Sequence, residues 1–165
     1  METAVFRGII WSQLAASLEM VENAITNCSV LLWSNRSRTP QYWFLVYHTL
    51  FFVDLYASKS AKDFAPPAPF TASGLHSDID KHERIYSREE MVAYLDHGRK
   101  KAKARIDELD EKGLLEPCNF AWVGVTNAEL VLYNMRHVQH HTAQLNQIVR
   151  QELSKGLPWV FKGSR

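Results

Sequence analysis

Apolar residues recur along the first part of the chain at the spacing of an amphipathic helix. From about residue 5 to about residue 32, the apolar positions are three and four apart, which is the period of a helix with one buried face. These positions are Ile10, Leu14, Leu18, Val21 and Ile25. The polar run 34–38 follows directly, and it predicts the end of this first helix.

The second apolar segment is hydrophobic nearly all round rather than on one face. Thr39 and Pro40 predict its start, because Thr is a good N-cap and Pro is favoured at the first helical position. Between residues 42 and 55 only His48, Thr49 and Asp54 interrupt the apolar pattern. Such a helix must be covered on every side, and a bundle covers about half of it. The pattern therefore predicts a subunit interface or a covering loop.

A long connection follows, from about residue 61 to about residue 86. Pro66, Pro67 and Pro69 cannot continue a helix. A connection of this length inside a compact domain is more often a functional crossover than filler. We therefore expect it to link helices that do not pack as a simple hairpin.

A capping box, which is a Ser or Thr followed three residues later by Glu, predicts the start of each of two further helices. The third helix is predicted to begin after Ser87 and to end near Gly113. The fourth is predicted to begin after Thr126 and to run to about residue 153, with Gly156 as the glycine beyond its end. No strand pattern is apparent, so the sequence predicts an all-α four-helix bundle. The apolar tail 157–161 is expected to pack back on it.

Composition and charge narrow the class of protein. The 165 residues predict one domain over 1–165, and the net charge of +1 disfavours a nucleic-acid binder held by bulk positive charge. The two cysteines, Cys28 and Cys118, form no CxxC motif and fit a reducing cytoplasm. No leader pattern is evident, and the apolar stretch 42–55 is shorter than the roughly 20 residues of a membrane span. We therefore expect a cytoplasmic protein without nucleic-acid or membrane partners.

The chain contains seven histidines, a high number for 165 residues. His137 and His141 are four apart on the fourth helix, so they share a face and can bind one metal ion. Two hydrogen-bonded histidines are the simpler alternative. Asn134 and Gln144 lie on the same face, and His140 is about 100° round the helix as a flanking group.

His48 strengthens the metal hypothesis, because an imidazole in the most apolar helix must find a partner. That partner is either an ion shared with His137 and His141, or a Tyr hydroxyl or backbone carbonyl. Asp54 and Glu129 are candidates to accept a hydrogen bond from the imidazole nitrogens that do not face the metal. Three imidazoles leave coordination positions open, as in a catalytic site. Nitrogen ligands favour Zn, Ni, Co, Cu or Fe(II) over Mg and Ca.

The sequence gives weaker indications for the other histidines and for the basic stretch. His76 and His82 lie in the long connection and are surface residues or parts of a lid over the site. His97 is expected to be solvated. The basic stretch 99–105 is a solvated helix face or, alternatively, a site for an anionic partner.

Two segments carry a resemblance to a known family. They are YHTLFFVDLY at 47–56 and HVQHHTAQL at 137–145, and with them the sequence resembles the DinB/YfiT-like family of metal-dependent bundle proteins. The resemblance implies an antiparallel four-helix bundle with a long crossover between the second and third helices, often dimeric. It also implies a divalent metal, nickel, zinc or iron, with His48, His137 and His141 as its ligands.

Relatives of this family include thiol-dependent S-transferases and a maleylpyruvate isomerase, which use low-molecular-weight thiols. The resemblance thus implies a metal-dependent enzyme, either a thiol-dependent S-transferase or a metal-activated hydrolase. Arg136, next to His137, is a candidate for holding a carboxylate of the thiol. The alternatives are a non-catalytic metal-binding or stress-associated bundle protein and a helical interaction module without metal. We expect a homodimer, because the second helix is apolar all round.

Overall fold

The computed structural model describes residues 2–72 and 84–163, and over these ranges the chain is helical with no strand. The all-α fold predicted from the sequence is confirmed. The helices are α1 (Thr3–Asn27), α2 (Val30–Ser34), α3 (Tyr42–Tyr56), α4 (Arg88–Glu108), α5 (Glu111–Leu115) and α6 (Asn127–Leu153). No helix in the described ranges is both long and apolar enough to cross a membrane.

The four long helices pack so that α1 and α3 each contact both α4 and α6. Helices α1 and α4 run in opposite directions. Arg7, near the start of α1, donates a hydrogen bond to the carbonyl of Asp107 at the end of α4. Farther along α1, Glu22 accepts one from Arg99 in the middle of α4. Residue numbers rise in α1 as they fall in α4, so the pair is antiparallel.

Helix α3 runs antiparallel to α6 but parallel to α4. Near its C-terminal end, the carbonyl of Val53 accepts a hydrogen bond from Asn134 in the first half of α6. Against α4, the ring of Tyr47 contacts that of Tyr94, and Asp54 is bonded to Lys101 farther along both helices. Because parallel helices cannot be joined by a tight turn, the long connection between α3 and α4 is a topological requirement.

The first two long helices differ in their limits from the prediction. The predicted 5–32 helix is two helices, because Cys28 is extended and Ser29 starts α2 by accepting a hydrogen bond from the backbone N–H of Leu32. Helix α3 begins at Tyr42 instead of following Thr39, because Gln41 is extended and serves as the N-cap.

The last two long helices begin where the capping boxes predicted, with both boxes formed. Helix α4 ends at Glu108, short of Gly113, because Asp110 caps the separate helix α5. Helix α6 ends at Leu153 as predicted, but the left-handed residue at its end is Ser154, with φ of 52°, rather than Gly156.

The C-terminal tail packs back on the bundle only in part. Leu157 packs against the core, and its N–H donates to the side chain of Asn146. Gly163 then donates to the carbonyl of Ser12 on α1. Trp159 and Phe161 remain largely exposed, so the tail lies along α1 without burying its largest rings.

Helix α3 is covered within the single chain. Every residue of α3 except His48 and Phe52 is buried. Phe64 and Phe70 of the long connection and Phe120 of the α5–α6 connection pack against this core. The sequence predicted either a subunit interface or a covering loop over this helix, and the structure shows the covering loop. The homodimer stays a prediction, and the apolar pattern of this helix no longer argues for it.

Candidate metal centre

Three histidines from two helices converge between α3 and α6. His48 comes from α3, and His137 and His141 come from successive turns of α6. One ring nitrogen of each lies within 4.8 Å of the others, and all three residues are half-buried. The antiparallel packing of α3 on α6 creates this cluster, because it sets the middle of α3 against the middle of α6. His48 faces α6 together with Phe52, which explains why these two are the incompletely buried residues of their helix.

The spacing of the nitrogens suits a shared ion. The Nε2 atoms of His137 and His141 are 3.1 Å apart. Two nitrogens on one transition metal, each about 2.0–2.1 Å from it, are about 3.0–3.4 Å apart. An N–H···N hydrogen bond would also fit this distance, and the third imidazole is the observation that favours an ion.

Gln144 sets the tautomer of His141. The side-chain oxygen of Gln144 lies 2.7 Å from Nδ1 of His141. An amide oxygen only accepts hydrogen bonds, so Nδ1 carries the proton and the neutral ring presents a bare Nε2 to His137. This is the arrangement in which a supporting group orients a metal-binding histidine. Gln144, expected from the sequence beside the site, therefore contacts the cluster directly.

The cluster favours uncharged imidazoles. Burial, together with the neighbouring histidines His141, His48 and His140, lowers the pKa of His137 to about 3. Burial is also the main cause that lowers the pKa of His141 to about 4, and the hydrogen bond to Gln144 opposes it. Near neutral pH both rings are therefore in the unprotonated form that binds metals.

Aromatic rings form one wall of the cluster. The ring of Phe52 lies 4.8 Å from that of His48 and 5.0 Å from that of His137, centre to centre. The ring of Phe44 approaches His48 at 6.3 Å. This wall holds the imidazoles by packing and shields one side of the cluster from water. Phe52 is one helical turn from His48, so its position was readable from the sequence.

His140 and Asn134 are two further residues of α6 that the sequence placed near the cluster, and their contacts differ. The ring of His140 lies 5.0 Å from that of His141, and His140 is exposed, as expected of a flanking group. Asn134 is buried and donates to the carbonyl of Val53, whereas its side-chain oxygen has no hydrogen-bond partner among the described residues. Asn134 thus joins α6 to α3 and is not bonded to an imidazole of the cluster.

The carboxylates expected to support the imidazoles lie elsewhere. Asp54 is fully buried but points at α4, where it binds Lys101 at 2.5 Å, His97 at 3.3 Å and Tyr94 at 3.1 Å. Six residues on an α-helix correspond to a rotation of about 240°, which turns Asp54 away from the face that carries His48. The prediction that Asp54 supports an imidazole of the cluster is therefore wrong, since its partners lie on α4.

Glu129 likewise serves the helix start rather than the cluster. It accepts hydrogen bonds from the backbone N–H and hydroxyl of Thr126. The backbone hydrogen bond, followed by the hydroxyl, lowers the pKa of the Glu129 carboxyl. Glu129 therefore completes the capping box of α6. The prediction that it supports an imidazole of the cluster is wrong.

Other candidate groups are also placed by the structure. Arg136 is exposed, and its guanidinium lies 5.8 Å from the ring centre of Tyr133. His97 is only 41% exposed and is bonded to Asp54 rather than simply solvated. The basic stretch is not a wholly solvated face either, because Arg99 is buried in ion pairs with Glu22 and Asp96. His76 and His82 lie outside the described residues.

A cavity that the sequence did not reveal adjoins the cluster. It has a volume of about 460 Å³ and includes His140 and Gln144, the two neighbours of His141, in its lining. Arg38 and Pro40, from the segment before α3, also line it. In the sequence, the only signal was a polar break followed by proline, which marks a helix boundary and not a pocket.

The fold and the site together define a helical bundle protein with a three-histidine site that could hold a metal ion. The family model described as the DinB superfamily matches residues 13–145, and the chain belongs to this superfamily. No curated protein and no solved structure matches the chain. The resemblance noted in the two histidine segments is therefore confirmed at the level of the family.

Proposed function

We propose that the protein is a divalent-metal-dependent enzyme that activates a low-molecular-weight thiol for transfer to an electrophile. The observation that supports this proposal is the convergence of three imidazole nitrogens within 4.8 Å beside an open cavity. Nickel, zinc and iron(II) all accept such nitrogen ligands.

The residues of the chain would hold the ion and leave part of its coordination sphere open. His48, His137 and His141 supply three donors, and no fourth His, Cys, Asp or Glu joins the group in the ranges 2–72 and 84–163. Bound there, a divalent metal supplies Lewis acidity that lowers the pKa of a coordinated thiol or water. Gln144 would keep His141 in the metal-binding tautomer, and Phe52 would keep water from one side.

A thiol suits this site better than water does. With Asp54 paired to α4 and Glu129 at the start of α6, no described carboxylate adjoins the cluster as a general base. A thiol has an ordinary pKa of about 8.5, against about 15.7 for water. It therefore needs a much smaller shift to become the nucleophile. We thus place the S-transferase ahead of the hydrolase.

The first experiment measures metal binding. Protein purified without chelator is expected to contain about one divalent ion per chain, and added Ni²⁺ or Zn²⁺ should raise the melting temperature of the metal-free form. His48→Ala and His141→Ala should each lose most of this binding. His140→Ala is the matched control, because His140 is a neighbouring exposed histidine outside the cluster. Absence of metal and of any melting shift would contradict the proposal.

The second experiment measures chemistry. Metal-loaded protein is incubated with bacillithiol, mycothiol or glutathione and an electrophilic acceptor, and thiol consumption is followed. We expect turnover with at least one thiol, lost in His48→Ala and kept in Lys100→Ala, which replaces an exposed residue of α4. Bound metal without consumption of any thiol would instead support a metal-activated hydrolase or the non-catalytic metal-binding protein.

A further inference from the structure

The cavity beside the histidine cluster combines one cation with an apolar lining. Pro40, Ala143 and Ile148 supply apolar surface, and Arg38 supplies the positive charge. The charge is set back from bulk solvent, since the Arg38 side chain is only 23% exposed. A cavity with this lining suits an amphiphilic molecule with an anionic end, because its apolar part can be buried while its charge is paired.

The guanidinium of Arg38 is only weakly engaged by the described residues. Its contacts with them use Nη2, which lies 3.4 Å from the side-chain oxygen of Gln151 and 3.5 Å from a carboxylate oxygen of Glu152. Glu152 is 45% exposed, and an ion pair at this distance and exposure contributes little. A ligand carboxylate can therefore take the place of Glu152 on Nη2 and accept a second, parallel hydrogen bond from Nε or Nη1, which is how arginine binds a carboxylate.

The same cavity reaches the histidine cluster at its other end. Gln144 and His140 line it, and both contact His141. Ile148 lies seven residues beyond His141 on α6, which corresponds to about 10 Å along a helix. A ligand with a chain of about six carbons covers most of this length, so its anionic end can lie in the cavity while its other end approaches the cluster.

We propose that this cavity binds the substrate of the metal site, and that the substrate is a small molecule whose carboxylate is held by Arg38. This inference rests on the proposed function for the reacting end of the ligand. It assigns the anchoring role to Arg38 instead of Arg136, whose guanidinium lies over the ring of Tyr133. The carboxylate would fix the distance and direction at which the reacting group meets the cluster.

The test compares two thiols that differ only at the anchoring end, 6-mercaptohexanoate and 6-mercaptohexan-1-ol. Each is titrated into Co²⁺-loaded protein, and its dissociation constant is read from the thiolate–cobalt absorption. We expect the acid to bind about tenfold more tightly than the alcohol, as a charge-assisted hydrogen-bond pair implies. Arg38→Gln should remove this difference, and Arg136→Gln should keep it. Arg38→Lys, which keeps the charge without the fork, should retain part of it.

A second arm uses metal-free protein with hexanoate and hexan-1-ol, followed by calorimetry. Hexanoate should bind more tightly, and the preference should again depend on Arg38. Equal affinity of acid and alcohol, or a preference that survives Arg38→Gln, would overturn the inference in either arm. Failure of the protein to bind Co²⁺ would contradict the proposed function alone, since the metal-free arm still decides the role of Arg38. Melting temperatures of the variants verify that each is folded.

Discussion

His137 and His141 lie one turn apart on α6 but are supported in different ways. Nδ1 of His141 is bonded to Gln144. Nδ1 of His137 is buried without a hydrogen-bond partner among the described residues, and its ring is positioned by contact with Phe52. One metal-binding candidate is thus oriented by a hydrogen bond and the other by packing. Of the polar neighbours on this face, Gln144 is the one whose removal should affect metal affinity.

Gln144→Ala is expected to weaken metal binding about tenfold, at the lower end of the range for loss of a hydrogen bond that orients a ligand. The affinity is measured by competition with a chromogenic chelator. Gln147→Ala is the matched control, because Gln147 lines the same cavity and has no described bond to the cluster. Equal affinities of the two variants would show that Gln144 does not orient His141.

At the scale of elements, the sequence predicted the starts of α4 and α6 but missed the start of α3 and the ends of α1 and α4. Ser87 and Thr126 act through hydrogen bonds within one turn, so their capping boxes are readable from local spacing alone. The break at Cys28 and the end of α4 at Glu108 have no comparable breaker in the sequence. They are set by competing caps, Ser29 and Asp110, which start the short helices that follow.

The buried carboxylate of Asp54 joins α3 to α4, and its loss should destabilise the fold. Asp54→Asn keeps the shape but leaves the ammonium of Lys101 without its counter-charge, so we expect a loss of about 2 kcal/mol or more in the free energy of unfolding. Urea unfolding measures this loss. Asp107→Asn, which breaks the exposed pair with Lys103 on the same helix, should cost less than about 0.5 kcal/mol. Similar losses in the two variants would contradict the structural role of Asp54.

For the whole molecule, the histidine cluster links folding to pH. In the unfolded chain a histidine takes up a proton near pH 6.5. In the folded protein the pKa values of His137 and His141 are lowered to about 3 and about 4. Between these values the unfolded state binds more protons than the folded state, so stability is present above pH 6.5 and is lost as the pH falls.

We therefore expect the metal-free protein to lose stability progressively between about pH 6.5 and pH 4, as shown by urea unfolding at a series of pH values. In His137→Gln the dependence of the unfolding free energy on pH should be shallower by about one proton. Gln147→Ala is the comparison, since Gln147 is exposed near the cluster and its replacement removes no titrating group. A parallel pH profile for His137→Gln and the parent would show that His137 titrates normally in the folded state.

The three candidate metal ligands were predictable because each stands out within a single segment of the sequence. His137 and His141 are set on one face by helical periodicity alone, and His48 stands out as an imidazole in a helix that is otherwise apolar. The supporting groups were harder to predict. Gln144 was correctly placed because it shares the helix, whereas Asp54 was assigned to the wrong partner because its face depends on where α4 packs.

The sequence by itself determined the all-α class, the starts of α4 and α6 and the three histidines, since each follows from periodicity, capping or composition within a single segment. Only the tertiary structure decided that α3 and α4 run parallel, that the chain covers its own most apolar helix, and that Arg38 lines a cavity beside His141. Those features depend on contacts between residues distant in the chain. No local pattern records such contacts, because they are fixed by which faces pack together to bury the most apolar surface.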